Sequence, residues 1–323
     1  MFGQSQRFVL IEEFSQASCG PCLAANINLY ALMSANATKA TSLKYQVVFS
    51  GPDPMNAQNK ADAANRVSYY NVNGIPSSHM DGGLSAIPTQ EKIDIAYTTP
   101  SPFSMKLTHR FNTTTNPDSI FIECEITCTQ TITLDLPKIR VAMTEKTIEF
   151  TSPPGTNGEK IFYDVMRKMY PDPNGTAVTE SWTVGQTQKL YFKEQIPAYI
   201  YKISEIAVVA WMQDDFGKKV LQTAYSPFPE VTAIDNFNNA VYALSVYPNP
   251  SSGIFTTSFE IMNTDNYSVK ITNAIGQVVY EEVMTNFNGK YSKEINISSY
   301  GQGVYMLKIS GSKGGEVKKL ITY

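Results

Sequence analysis

Between residue 7 and about residue 97 the hydrophobic period of the chain switches back and forth. Phe8-Val9-Leu10-Ile11 is a continuous apolar run of the length a buried strand makes. Leu23, Ile27, Tyr30 and Ala31 then recur at i, i+4, i+7 and i+8, which predicts an amphipathic helix with that face inward. Leu43 to Phe49 is a second apolar run, and Asn56 to Tyr70 reads as a second helix. Gly74-Ile75-Pro76, the turn Asp81-Gly82-Gly83 and a last helix opened by Pro88 follow. Strands alternating with helices predict an α/β sheet.

Thr98-Thr99-Pro100-Ser101-Pro102 punctuates the chain, and the period changes to two. Ile120, Ile122, Cys124, Ile126 and Cys128 alternate with polar residues, and Ser204 to Met212 reads as a central strand. A helix-like stretch, Ile161 to Tyr170, interrupts the pattern. The region predicts a mostly-β sandwich. Asp235-Asn236-Phe237-Asn238-Asn239 is a second punctuation. Beyond it lie short alternating runs: Val246-Tyr247, Phe255 to Ile261, Tyr267 to Thr272, Val278 to Glu282 and Val304 to Ile309. Turn signals at Asn288-Gly289 and Gly311-Ser312 separate them. The expected organisation is an α/β domain over 1–97, a β-sandwich over 98–234, a linker over 235–240 and a C-terminal β-sandwich over 241–323.

A formal net charge of −3 exerts no general pull toward nucleic acid or an anionic membrane. Charged residues make up 17%, below the roughly 25% usual in soluble domains, and Ser, Thr, Asn and Tyr replace them. No apolar run approaches the ~20 residues of a membrane-spanning helix. The first seven residues lack the basic and apolar regions of a signal peptide, so the signal of an exported chain would have been removed or left out of this sequence. The two histidines, His79 and His109, fit no metal-ligand spacing, and neither a metal nor another cofactor is expected.

The chemistry concentrates in Cys19-Gly20-Pro21-Cys22, placed after a strand and at the start of a helix. A thiol there meets unpaired N–H groups and the positive end of the helix dipole, which stabilise its thiolate. Cys19 is the expected exposed nucleophile and Cys22 the resolving thiol. Glu13, on the strand beneath the helix, is placed to exchange the Cys22 proton. Gly74, Ile75 and Pro76 form a loop in which a cis X-Pro bond would expose the preceding backbone for pairing with an extended peptide. A structural disulfide is the alternative. A zinc half-site would need a second pair, and Cys124/Cys128 lies in another predicted domain. Those two are four apart on a strand, on one face and roughly 13 Å from each other, too far for a bond that needs Cα atoms within about 7 Å. They read as small core residues. His79 could approach the dithiol, although an ordinary strand histidine is the simpler reading; His109 reads as surface.

Phe8-Val9-Leu10-Ile11-Glu12-Glu13-Phe14 with Cys19-Gly20-Pro21-Cys22 resembles the first strand and active site of thioredoxins. Tyr70-Asn71-Val72-Asn73-Gly74-Ile75-Pro76-Ser77 resembles their cis-proline segment. Ser18 stands where thioredoxins carry Trp, and Glu13 where they carry Asp. Val165 to Pro171, Ile206 to Asp215 and Val220-Leu221-Gln222 add a similarity to the outer-membrane-protein-twenty-eight family of Bacteroidota over about residues 7 to 225. That family pairs a thioredoxin-like domain with a β-sandwich. Leu244 to Phe255, Asn273 to Val279, Gly303 to Ile309 and Lys318-Lys319-Leu320-Ile321 resemble, in order, the type A C-terminal sorting domain of type IX secretion. The resemblances imply an exported surface or extracellular thiol–disulfide oxidoreductase acting on protein disulfides. Its export partner would be the type IX machinery, through residues 241–323. The competing reading is a surface binding or adhesion protein in which Cys19–Cys22 is a stable clip.

Overall fold

The computed structural model describes residues 4–113, 116–230, 241–273, 276–311 and 314–323. The expected linker, 235–240, lies outside the described residues, as does Ser312 of the second turn signal. The chain forms two compact units, Met1–Phe111 with Ser119–Glu230, and Asn112–Asp118 with Val231–Tyr323.

The first unit begins with β1 (Val9–Ser15), α1 (Gly20–Ala35) and β2 (Ala40–Gln46), the two strands lying parallel with Glu13 beside Lys44. The predicted helix from Asn56 is two helices, α2 (Pro54–Gln58) and α3 (Lys60–Tyr70). Asn59 ends the first, and its side chain accepts from the Asp62 N–H to cap the second. β3 (Ser77–Met80) pairs antiparallel with β1, and α4 (Gln90–Thr98) follows with Thr89 as its cap.

The chain continues through β4 (Phe103–Phe111), β5 (Ser119–Cys128), the two-residue β6 (Ile132–Thr133) and β7 (Pro137–Glu149). Next come β8 (Ile161–Tyr170), the short β9 (Thr176–Ala177) and β10 (Ser181–Trp182), and β11 (Thr187–Gln195). β12 (Ile206–Asp214) and β13 (Lys219–Ser226) close the unit.

The sequence places a boundary near residue 97, yet one sheet runs across it in the order β13-β12-β7-β8-β2-β1-β3. The joint is a parallel pairing of β2 with β8 at Lys44 and Val165. β4, β5 and β11 form a separate three-stranded sheet. β12 shows why the two halves share one body. Ile206, Val208, Ala210 and Met212 face a core built with Phe103, Ile120 and Ile126. The alternate residues Val209 and Trp211 face a second core with Leu10, Phe14, Leu43 and Tyr45. Each such aliphatic side chain contributes about 1.5–3 kcal/mol when fully buried, so one strand anchors both halves.

Ile161 to Tyr170, expected as helix-like, is a strand. Its buried apolar residues Phe162, Val165, Met166, Met169 and Tyr170 sit at helical spacing, but a register shift against β7 and a left-handed Asp164 (φ 54°) produce that spacing. A bulge moves the side chains to the opposite face, so two-residue alternation breaks and imitates a 3.6 period. The face of α1 also differs from expectation. Cys22, Asn26, Leu29 and Met33 are buried, whereas Ile27 and Tyr30 are exposed. The Tyr30 ring stacks on Tyr163 at 3.7 Å, so the apolar stripe covers β8 rather than entering the core.

The second unit is one antiparallel sheet of β14 (Val241–Tyr247), β15 (Ile254–Asn273), β16 (Val278–Asn296), β17 (Gly303–Gly311) and β18 (Gly314–Thr322). The two runs from Phe255 and Tyr267 belong to the single strand β15, whose register against β16 shifts between Ile261 and Tyr267. Asn288-Gly289, expected as a turn, lies inside β16, with Gly289 at φ 102° opposite Ile261. Its left-handed backbone bends a strand here instead of reversing it. Phe255, Tyr267, Val269, Leu307 and Leu320 belong to the core of this unit.

A chain ending at Thr98 would leave Leu10, Phe14, Leu43 and Tyr45 without Met169, Val209 and Trp211. We expect that fragment to show no cooperative urea transition by far-ultraviolet circular dichroism. A sharp transition would show that residues 1–98 close a core unaided.

Candidate functional site

The dithiol sits where β1 hands over to α1. Cys19 is the N-cap residue of α1 and Pro21 occupies its first turn, a position where a missing N–H costs nothing. The two cysteines form a disulfide with Cα atoms 5.3 Å apart. The Ile75–Pro76 peptide bond is cis, and the Ile75 carbonyl oxygen lies 3.9 Å from the Cys19 sulfur. The structure thus brings Cys19, Cys22, Ile75 and Pro76 together, from segments more than fifty residues apart.

Cys19 is not the exposed thiol that a helix start alone implies: it is 1% exposed. The segment between β7 and β8 is bonded to the backbone around it. Thr156 donates its N–H to the Ser18 hydroxyl at 3.1 Å and its own hydroxyl to the Ser18 carbonyl at 3.3 Å. The Asn157 N–H donates to the Ala17 carbonyl at 3.2 Å, and its side-chain amide to the Cys19 carbonyl at 3.1 Å. A Cβ on Gly155 would stand 2.1 Å from the Ala17 carbonyl oxygen, so only glycine lets the backbones approach this closely. Ser18 is also gripped from the other side, donating to the Pro52 carbonyl at 2.8 Å.

Glu13 is buried on β1, and its carboxylate accepts from the Ser78 hydroxyl on β3. Burial pushes its carboxyl up to about 7, against the opposing pull of the Ser78 hydrogen bond and the Lys44 charge. It borders a cleft of about 440 Å³ that also touches Pro76, Ser78, Ser85 and Leu29. A carboxyl that changes state near neutrality, in a cleft that reaches the Pro76 loop, is equipped to hold or release one proton.

The remaining candidates separate cleanly. Gly74 is exposed at the tip of the Ile75 loop. His79 is a packed strand histidine, stacked on Tyr70 at 4.2 Å with Nδ1 2.8 Å from the Gly83 carbonyl oxygen. His109, expected at the surface, is buried beside the Ser226 hydroxyl at 2.8 Å. It alternates with Leu107 on the inner side of β4, and burial, with Lys146 nearby, lowers its pKa to about 4. Cys124 and Cys128 are free, buried thiols of the sandwich core, and burial raises the Cys124 thiol to about 12. Among the described residues no group of three or more His, Cys, Asp or Glu could hold a metal ion.

Sequence reasoning missed Lys44, Asn26, Asn157 and Glu159. Lys44 is buried beside Glu13 and its ammonium is pushed down by burial. Asn26, on the buried face of α1, donates to both carboxylate oxygens of Glu159 at 2.9 and 2.8 Å. Pro153-Pro154-Gly155-Thr156-Asn157-Gly158 carries a loop signal and nothing that points to a partner.

Residues 245–323 match the secretion system C-terminal sorting domain, and the chain is exported to the cell surface or outer membrane by that route. No helix among the described residues is long and apolar enough to cross a membrane. HBP35 of Porphyromonas gingivalis shares the architecture at 12% identity and a TM-score of 0.55, with 99% of this chain and all of that chain covered. A protein of Agrobacterium tumefaciens aligns at 12% identity over 71% of this chain and 98% of its own, with a TM-score of 0.48. A domain of the outer membrane lipoprotein Omp28 from Porphyromonas gingivalis aligns at 12% identity over 40% of this chain and 89% of its own, with a TM-score of 0.25. No curated protein matches the chain.

Glu13 makes a direct expectation. The folded protein keeps its proton to about pH 7, while the unfolded chain releases it near the ordinary 4.5. Between those values unfolding releases a proton, so stability falls as pH rises and levels off above about pH 7. At about 1.4 kcal/mol per pH unit the loss is on the order of 3 kcal/mol. Urea titrations of the oxidised protein from pH 4.5 to 8 should show this decline, and Glu13→Gln should flatten it. An equal decline in both would place Glu13 in the ordinary carboxylate range.

Proposed function

We propose that the exported chain is a thiol–disulfide oxidoreductase acting on protein disulfides, and that residues 1–97 supply a thioredoxin-like β-α-β frame for it. The Cys19–Cys22 disulfide at the start of α1, facing the Ile75–Pro76 loop, is the observation that carries this reading. In the reduced state the Cys19 thiolate attacks one sulfur of a substrate disulfide. A mixed disulfide forms, and the other substrate sulfur leaves as a thiolate. Cys22 passes its proton to Glu13, and its thiolate attacks the Cys19 sulfur. The Cys19–Cys22 bond forms and the second substrate thiolate departs. Two electrons move from the dithiol to the substrate; run backwards, the oxidised form draws two electrons from a substrate dithiol. Gly74, Ile75 and Pro76 hold the substrate segment through the backbone of Ile75. The exchange uses no cofactor.

One observation favours a second reading. Cys19 is buried and its carbonyl is held by Asn157, as a structural clip in a surface binding protein would be. The readings separate in an insulin-reduction assay driven by dithiothreitol. The redox reading expects turnover by the full chain, its loss in Cys19→Ser, and slowing on the order of a hundredfold at pH 7 in Glu13→Gln. A full chain no faster than Cys19→Ser would leave the clip.

A further inference from the structure

α1 is a surface helix of 16 residues without a charged side chain: after Gly20-Pro21-Cys22 it contains only Leu, Ala, Asn, Ile, Tyr, Met and Ser. Its solvent side, Ala24, Ile27, Asn28, Tyr30, Ala31 and Ser34, is therefore uncharged, where a helix on the outside of a soluble domain ordinarily carries charge. α4, by contrast, carries Glu91, Lys92 and Asp94. Ile27 and Tyr30 stand 58 and 44% exposed, and Ile161 on β8 39%. These side chains are contiguous. A groove of about 380 Å³ is lined by Leu23, Ile27 and Tyr30 from α1 and by Ile161 and Tyr163 from β8. The buried Glu159 beneath it is taken up by the Asn26 amide. The rim of the groove holds one exposed charge of each sign: Lys160 lines it, and Glu149 on β7 sits in register with Ile161. On the opposite flank of α1, Ala25, Asn28 and Leu29 line the cleft at Glu13. The helix is thus an uncharged ridge between two hollows, and contiguous apolar surface of this kind marks a contact site.

We propose that this face is the contact of a two-fold homodimer, in which α1 of each copy packs into the groove between α1 and β8 of the other. Three features select a second copy over a different partner. A two-fold contact sets one patch against itself, so the patch must complement its own shape and charge. A helix ridge beside an apolar groove does so in shape, because the rotation places each ridge at the other copy's groove. The absence of charge along α1 leaves no like-charged pair at the centre, as the core of a specific interface requires. The rim charges complete the match: a two-fold lets Lys160 of one copy pair with Glu149 of the other, in both directions. A lipid surface fits less well, since a helix lying on a membrane carries Lys and Arg beside its apolar face and α1 has neither. This contact needs no dithiol chemistry, and the cleft at Glu13 lies on the other flank of α1.

Sedimentation equilibrium of the oxidised full chain tests this. At about 50 µM, far above the ~1 µM Kd of a modest specific interface, it should sediment at twice the 35.8 kDa of one chain. Ile27→Lys, which sets like charges at the centre from an exposed position, should raise the dimer Kd on the order of a hundredfold. Where Ile27→Lys does not fold, Ile161→Lys on the facing wall carries the same expectation. Lys160→Glu or Glu149→Lys alone should each weaken the dimer roughly tenfold. The double variant should restore it, as a reciprocal pair across a two-fold requires. A full chain that sediments as a monomer overturns the proposal, whether α1 is then covered by the C-terminal unit or left bare. So does a dimer that folded Ile27→Lys or Ile161→Lys leaves intact, since it would use another face, and so does a double variant no tighter than the single ones.

Discussion

The addition of β8 to the free side of β2 is the constraint on which the molecule depends. Lys44 and Val165 mark that parallel contact, and it joins the β1-α1-β2 frame to the strands that follow residue 98. Its consequences reach the site directly. The chain entering β8 must pass over the start of α1, which lays Gly155, Thr156 and Asn157 along Ala17, Ser18 and Cys19. Two residues later Glu159 arrives beneath α1, within reach of Asn26 and the charge of Lys44. Fold and site are therefore one problem: the strand that closes the sheet also delivers the residues that surround the disulfide.

Successive residues of β1 show how burial is turned to opposite ends. Glu12 points to the α3 side and is saturated by Arg66 at 2.7 Å and by the hydroxyls of Tyr45 and Tyr70 at 2.8 and 2.5 Å. A buried carboxylate so thoroughly paired serves the architecture. Glu13 points to the other face, where one hydroxyl and a lysine shared with two further acids are all that oppose desolvation. It is left poised near neutrality. The same residue type on adjacent positions gives a strut and a carboxyl raised to about 7 because the pleat sends them to different surroundings.

Local chemistry was legible in the sequence; long-range partners were not. The dithiol announced itself by Cys19-Gly20-Pro21-Cys22, its facing loop by Gly74-Ile75-Pro76, and the sorting tail by four ordered segments. The alternation over Ile120 to Cys128 gave β5 directly, since its inner face is continuous. β8 was misread because the register shift at Arg167 and the left-handed Asp164 give a strand the burial period of a helix. The buried face of α1 was missed because Asn26 is polar and Ile27 and Tyr30 are apolar, which inverts the usual signal. Asn26 is buried where its amide meets Ser15 and Glu159, the latter 133 residues away. Such an arrangement exists in the fold and leaves no local pattern.

A buried disulfide can be a working redox couple or a permanent clip, and its energy separates the two. Equilibration of the full chain with glutathione buffers of known potential, followed by quantification of the Cys19–Cys22 bond, measures that energy. The account predicts a reduction potential between about −270 and −120 mV, the range spanned by thiol–disulfide exchange proteins. A value below about −300 mV, where structural disulfides of secreted proteins lie, would contradict it.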